Sequence, residues 1–479
     1  MHVLYVHQNF PAQFGHIAQH LVDRLNWQCT FVSQTPGGKV GGIEKVEYKL
    51  LGGATKHNHF CTRTFENTVW HCDGVYRAMR GRPEIHPDLI VGHSGFGSTL
   101  FLRELYPDVP VINFFEYYYL PHDVDSDMDF RKDLAWPTND LTYLRSRCRN
   151  AMIQLDLQNC QAAYTPTQFQ RSRFPEELRG KIRTIFDGVD RAVYHGFDET
   201  LRPPVASRGD RELPGGVKVG PNTRVVTYVS RGFESMRGFD MFVAAADLIA
   251  KQYPDVIFVI VGTDRVAYGG DENYIAPHKS FKEWTLAKYK PDLSKFAFVG
   301  RLPQEELGRL LAAGDLHIYL TVPFVLSWSM MDAMSCGAVV LGSDTAPVRE
   351  MIKGGENGLL ADFFSPEAIA AKAVEVLRDP DAARPMGRAA EKMIVERYSL
   401  EAVIPEMIAM YEQTAAMKPT LPTWPLPPVS NQPPAVPVTP ARQGGGAQQQ
   451  PQQPPPQQQA RPAPAQQAKA PKNPSPFRG

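Results

Sequence analysis

The sequence predicts an α/β protein built from doubly wound, mostly parallel sheets, and three observations carry that expectation. Short apolar or β-branched runs, among them Val3–Val6, Cys29–Ser33 and Val225–Val229, alternate with stretches whose apolar residues recur at helical spacing. Such alternation predicts parallel strands with helices on both faces. A length of 479 residues, 43% of them hydrophobic, suffices for two domains of roughly 100–200 residues each. Beyond Pro419 the composition changes, and the run QGGGAQQQPQQPPPQQQA at 443–460 offers nothing to bury and is expected to be disordered. The division read from the chain is a first domain over 1–200, a linker over 201–220, a second domain over 221–400, a crossover helix over 401–418 and a Pro/Gln-rich tail over 419–479.

In the first half, the strand Val3–Val6 runs into the loop His7–Gly15, and a helix then carries Ile17, Leu21 and Leu25 toward the sheet. A strand at Asp88–His93 presents His93 and Ser94 at its end, a helix is expected from Leu100 to Tyr106, and a strand at Val109–Phe115 ends in Glu116 and three tyrosines. Ligands of open α/β sheets bind beyond the carboxyl ends of the strands. That rule points the first loop (with Phe14 and Gly15), His93 and Glu116 into one crevice. Each keeps a plainer alternative: a structural histidine, a rim carboxylate, a glycine chosen for helix packing. A basic helix between Arg145 and Tyr164 carries Arg145, Arg147 and Arg149, read either as a solvated face or as one that meets an anionic surface.

The second half is organised around Val225–Gly238, VVTYVSRGFESMRG. A strand, a glycine-bearing loop with Arg231, Gly232, Arg237 and Gly238, and then a helix start together suit phosphate: helix N–H groups and two fixed cations converge there. Strands are expected at 225–229, 256–261, 296–299, 316–321 and 338–342, with helices at 239–252, 304–313 and 327–336. Ser327 or Ser329 would cap the last of these, Gly337 would stop it, and its N-terminus would bring further N–H donors to the crevice. Asp332 has two readings, as acceptor of two ribose hydroxyls or as the acid of a Ser329-x-x-Asp332 capping box.

Other features exclude more than they suggest. The cluster His57, His59, Cys61, His71 and Cys72 matches no zinc-ligand spacing. Asp123, Asp125, Asp127 and Asp129 alternate as in a Ca²⁺ loop, but Met128 and Leu134 occupy the positions that need Gly and Glu, so a solvated acidic loop is expected. The tail from Gln413 onward carries +6 and the preceding residues −6, which argues against general nucleic-acid binding. Six cysteines without a CxxC pair predict a reduced intracellular compartment. A strand at the very start leaves no room for a signal peptide, and no apolar run reaches the ~18 residues a bilayer span requires.

The order strand–Arg–loop–Arg–Gly, then Phe298-Val-Gly-Arg-Leu-Pro-Gln-Glu-Glu-Leu, then the 321–337 segment, resembles the retaining glycosyltransferases of family 4, also called group 1. The resemblance covers roughly residues 1–416 and implies the GT-B fold, two doubly wound Rossmann-like domains facing across a cleft. It implies that Arg231 and Arg237 hold a donor diphosphate, that His93 is the active-site histidine, and that Ser343–Glu350 ends in a glutamate beside the donor. Gly232, Gly238, Ser327, Ser329, Asp332 and Glu350 are thus the donor-binding candidates, and Phe14, Gly15 and Glu116 the acceptor-binding ones. Asp187-Gly-Val-Asp190 resembles an Asn-Gly-Val-Asp element. The family's Glu-x7-Glu aligns with Phe324 and Asp332, so the first acid is missing and the second is one methylene shorter.

The implied reaction moves a sugar from a nucleoside-diphosphate donor to a saccharide or a polyprenyl- or other lipid-linked acceptor with retention, in surface polysaccharide or glycolipid synthesis. Negative charge grows on the leaving β-phosphate, and Arg231, Arg237 and the helix N-termini are expected to meet it without a metal or cofactor. Expected partners are the nucleotide sugar and the acceptor, at a cytoplasmic location with peripheral contact to the inner face of the membrane and no nucleic acid. The alternatives are a nucleotide-sugar-binding subunit without catalysis, suggested by Phe324, a dehydrogenase, disfavoured because no G-x-G-x-x-G follows the opening strand, and a scaffold acting through its tail.

Overall fold

The computed structural model describes residues 1–122, 130–134, 140–196, 200–267 and 270–419. The acidic Asp123–Asp129 loop and the tail beyond 419 lie outside the described residues.

Two parallel sheets carry the chain. The first has seven strands, β1 (His2–Val6), β2 (Gln28–Ser33), β3 (Ile43–Glu47), β4 (Leu89–His93), β5 (Val111–Phe114), β6 (Ala162–Thr165) and β7 (Ile182–Thr184), in the order β3-β2-β1-β4-β5-β6-β7. Leu4 and Tyr5 of β1, Ile90 and Val91 of β4 and Ile112 of β5 are fully buried, as expected where helices cover both faces. Strands β8 (Arg211–Leu213) and β9 (Val217–Val219) form a small antiparallel hairpin. The second sheet comprises β10 (Arg224–Val229), β11 (Val256–Val261), β12 (Phe296–Gly300), β13 (Leu316–Tyr319), β14 (Val340–Ser343) and β15 (Leu359–Ala361), ordered β12-β11-β10-β13-β14-β15. In each sheet the strand order reverses beside its opening strand, between β1 and β4 and between β10 and β13, which is where a doubly wound sheet opens a crevice.

Several elements depart from expectation. The helix at Leu100–Tyr106 is only a 3₁₀ turn, Leu100–Glu104. The basic helix runs Asp140–Asn159 and stops before β6, because Ala162–Thr165 is a wholly buried run that pairs with β5 instead. Within 201–220 the hairpin buries Leu213 and Val219 against Val225 and Val259, so these residues pack with the second sheet. The His/Cys cluster falls partly on an unanticipated helix, Arg63–Arg80, where Cys72 is buried and the Tyr48 hydroxyl lies 2.7 Å from His71 Nδ1. Among the described residues no three His, Cys, Asp or Glu side chains are gathered as metal ligands. The final helix, Leu400–Ala415, returns to the first sheet: Ser399 bridges Val189, and Tyr411 packs 6.4 Å from Tyr5. No helix among the described residues is long and apolar enough to cross a membrane.

Candidate active site

The two switch points face one another across a cleft lined by His7, Asn9, His93, Phe96 and Glu116 on one side and by Ser230, Arg231, Arg237, Ser327, Trp328 and Ser329 on the other.

On the first wall, β4 ends at His93, which is buried. Its Nδ1–H donates to the Ser94 carbonyl at 2.9 Å, which turns Nε2 toward Glu116, 4.0 Å from Oε2. Burial drives the imidazole pKa down to about 4, only partly countered by backbone carbonyls, so His93 is a neutral ring with its lone pair in the cleft. Burial likewise raises the Glu116 pKa, and the positive charges of Arg231 and Arg237 pull it back. His7, the first residue after β1, packs edge-on to His93 at 5.1 Å between ring centres and accepts the Asn9 N–H at Nδ1. Phe96 stacks flat on His7, with 9° between the planes, and its carbonyl accepts from Gln8 N–H at 2.6 Å. That approach requires Gly97: a Cβ there would sit 2.8 Å from His7 Cα. Beneath the same loop, Ser94 and Ser98 donate to the fully buried Asp156 at 2.8 and 2.5 Å. Burial raises the Asp156 pKa to about 6 despite those two hydroxyls.

On the second wall, β10 leads to an exposed Arg231 and then, at the end of the 3₁₀ turn Ser235–Arg237, to a buried Arg237. Arg237 Nη1 donates to Thr321 Oγ1 at 2.7 Å and to the Val325 carbonyl at 3.2 Å, while Tyr228 OH donates to the Arg237 carbonyl. Gly238 adopts φ +59°, and a Cβ there would meet Leu320 Cβ at 2.8 Å, so both conformation and space demand glycine. The helix Trp328–Ser335 is capped by Ser327, whose Oγ accepts from Ser329 N–H. Trp328 Nε1 donates across the cleft to Asp187 Oδ2 at 2.7 Å.

The structure thus brings His93, Glu116, Arg231, Arg237, Ser327 and Ser329 together. Phe14 and Gly15 are buried and belong to the start of the first helix, and that loop reaches the cleft through His7, Asn9, Ala12 and Gln13 instead. Gly232 and Gly238 shape the loop that carries Arg231 and Arg237 without lining the cleft. Asp332 is buried and off the lining, and because Ser327 rather than Ser329 is the cap, it is not the acid of a capping box. Glu350 also lies off the lining: both its oxygens accept backbone N–H groups at 2.7 Å, from Gln168 and Phe169, at the start of a first-domain helix. Phe324 is buried against Tyr117 of the first domain, with ring centres 4.7 Å apart. Sequence reasoning missed His7, Phe96, Trp328 and Asp156. His7 was within reach, since it stands just past the end of β1 as His93 stands at the end of β4.

Residues 25–193 match the profile of the glycosyl transferase family 4 group, and residues 212–393 that of glycosyl transferases group 1. Among curated relatives, alpha-maltose-1-phosphate synthase of Mycolicibacterium smegmatis is 27% identical over 50% of this chain and 62% of its own length. N-acetyl-alpha-D-glucosaminyl L-malate synthase of Bacillus anthracis is 26% identical over 48% of this chain and 53% of its own. The chain therefore spans little more than half the length of these relatives. Among solved structures, the Anabaena HepE protein in complex with UDP and glucose superposes with a TM-score of 0.58 at 15% identity, covering 86% of this chain and all of that one, a likeness of fold. The two profile matches fall one on each domain and together span most of both sheets, and the chain belongs to the group 1, family 4 glycosyltransferases with the GT-B architecture.

Proposed function

We propose that this chain transfers a sugar from a nucleoside-diphosphate donor to a saccharide or lipid-linked acceptor in glycan or glycolipid synthesis, with retention and without a metal ion, at the cytoplasmic face of a membrane. The observation that carries the reading is the pairing of a fixed guanidinium, Arg237, with a second one, Arg231, opposite the neutral His93 and Glu116. A leaving diphosphate gains charge as the glycosidic bond breaks. Cations already in place then favour the transition state over the ground state, because no reorganisation is needed at that moment. The HepE structure, which holds UDP and glucose, supports the choice of a nucleotide donor. On this reading Ser327 and Ser329 bind the donor beside the arginines, Gly232, Gly238 and Asp332 shape that wall, and Glu116, His93 and Phe96 face the incoming acceptor.

The test is release of free nucleoside diphosphate from a panel of nucleotide sugars, with and without EDTA. Turnover that EDTA leaves unchanged and that falls by about 10²–10³ in Arg237→Met supports the reading. Saturable binding without release would instead make the chain a nucleotide-sugar-binding subunit.

A further inference from the structure

One first-domain side chain is built into the phosphate loop of the second domain. Arg131 is 1% exposed. Its Nη1 donates to the Ser235 carbonyl at 2.7 Å and to Asp240 Oδ1 at 3.2 Å, and Nη2 to Asp240 Oδ2 at 2.6 Å. Nε and Nη2 also donate to the two oxygens of Asp133, both at 2.9 Å. Every N–H direction of the guanidinium is thereby used. The plane lies over Phe363 at 5.2 Å, and the neighbouring Phe130 packs on Phe363 and Phe364. Burial opposes the charge, but Asp240 and Asp133 outweigh it and raise the Arg131 pKa.

The acceptors are placed with purpose. Ser235 opens the turn that carries Arg237, and Asp240 stands in the first turn of the helix that follows Gly238. Within its own domain, Ser235 is held at the amide and hydroxyl by Asp271, at 2.8 and 2.6 Å, and its carbonyl accepts the Gly238 N–H at 3.0 Å, so Arg131 adds a second donor on that carbonyl from the other domain. The carbonyl of Ser235 and the carboxylate of Asp240 bracket Arg237, and both are claimed by a residue 104 and 109 positions earlier in the chain. A buried ion pair is weak support for stability, because desolvation consumes most of its attraction, so the use of one here calls for another reason.

We propose that Arg131 is a positioning residue: docked from the acceptor-side domain, it fixes both ends of the Ser235–Asp240 turn and thereby aims Arg237 at the donor diphosphate. This rests on the proposed function for its catalytic consequence but not for its structural one. It also gives the phosphate site a dependence on the opposite domain that neither domain has alone.

The experiment compares wild type, Arg131→Met, Asp240→Asn, the double variant and Arg131→Lys. Arg131→Met alone leaves Asp240 buried without its cation and should lower both Tm and kcat/KM. In the double variant the buried charge is gone, so Tm should return toward wild type. The donor KM should stay raised and turnover depressed, by about 10²-fold together, since misplacing a catalytic group by about 1 Å costs that much. Arg131→Lys, a point charge without the fork, should rescue Tm better than donor KM. Hydrogen exchange at the Arg237 and Gly238 amides, followed without nucleotide, should quicken at least tenfold in the double variant. If donor KM, turnover and exchange all recover along with Tm, Arg131 is merely structural and the inference is overturned. If wild type releases no nucleoside diphosphate, the functional reading fails by itself, and the exchange measurement still decides whether Arg131 orders the turn.

Discussion

Arg237 is held before any ligand arrives, by a threonine hydroxyl, a carbonyl and the turn that carries it, whereas Arg231 stands in an exposed loop. The two are therefore expected to fail differently. Arg237→Met should lower kcat by about 10²–10³ and Arg237→Lys should recover little of it, since an ammonium cannot reproduce a fork bonded to two fixed acceptors. Arg231→Met should act mainly on donor KM, because an exposed cation adds attraction without preorganisation; steady-state kinetics on the preferred nucleotide sugar separate the two. Both arginines were visible in the sequence, since they flank a glycine between a strand and a helix within fourteen residues. Asp156 was not: it looks like an ordinary helix residue until the fold brings Ser94 and Ser98, 62 and 58 positions earlier, onto its carboxylate.

At the scale of elements, the Ser94–Ser98 loop and the Asp140–Asn159 helix form one unit under His93, and their two titrations oppose each other. The Asp156 pKa is raised in the folded state, from 3.8 to about 6, so its contribution to stability is full below pH 4 and is lost as pH rises through 6. The His93 pKa is lowered from 6.5 to about 4, so its contribution is present above 6.5 and is lost on acidification. Each window is worth about 3 kcal/mol. Asp156→Asn removes only the first, so relative to wild type it should lose stability as pH falls from 7 to 5. Urea denaturation at the two pH values measures this, and parallel pH profiles would refute it. Glu350 is a second element-scale case. The family resemblance made it a donor-binding candidate, but its carboxylate accepts the first N–H groups of the Gln168–Ser172 helix. Glu350→Ala should therefore cost about 1 kcal/mol and leave donor KM unchanged. A severalfold rise in KM at unchanged stability would restore the donor role. The central strands and the Phe239–Gln252 helix were readable from apolar periodicity, whereas the Arg63–Arg80 helix was not. A glutamate that crosses between domains leaves no periodic trace.

For the whole molecule, the informative position is Phe324, where the family carries the acid that contacts the donor sugar. Here the side chain is 8% exposed and packs on Tyr117, whose hydroxyl donates to the Pro323 carbonyl, so the segment joins the two domains instead of reaching for substrate. Together with Arg131–Asp240, Trp328–Asp187 and the cap at Glu350, it makes a seam of apolar and hydrogen-bonded contacts around the cleft. Reinstating the family acid should then harm the protein. In Phe324→Glu a carboxylate replaces a buried ring packed on Tyr117, a burial that costs several kcal/mol and loosens the seam. Phe324→Leu keeps an apolar side chain of similar bulk and should cost less than about 1.5 kcal/mol. Urea midpoints for the two variants, read beside nucleoside-diphosphate release, decide the matter. A Phe324→Glu protein as stable as wild type and faster in turnover would put this position on the sugar and not on the seam. A destabilised, slower one would mean that the donor sugar is met by cleft groups other than the family's first acid, among which the Asp187–Trp328 pair spans the cleft between the two walls.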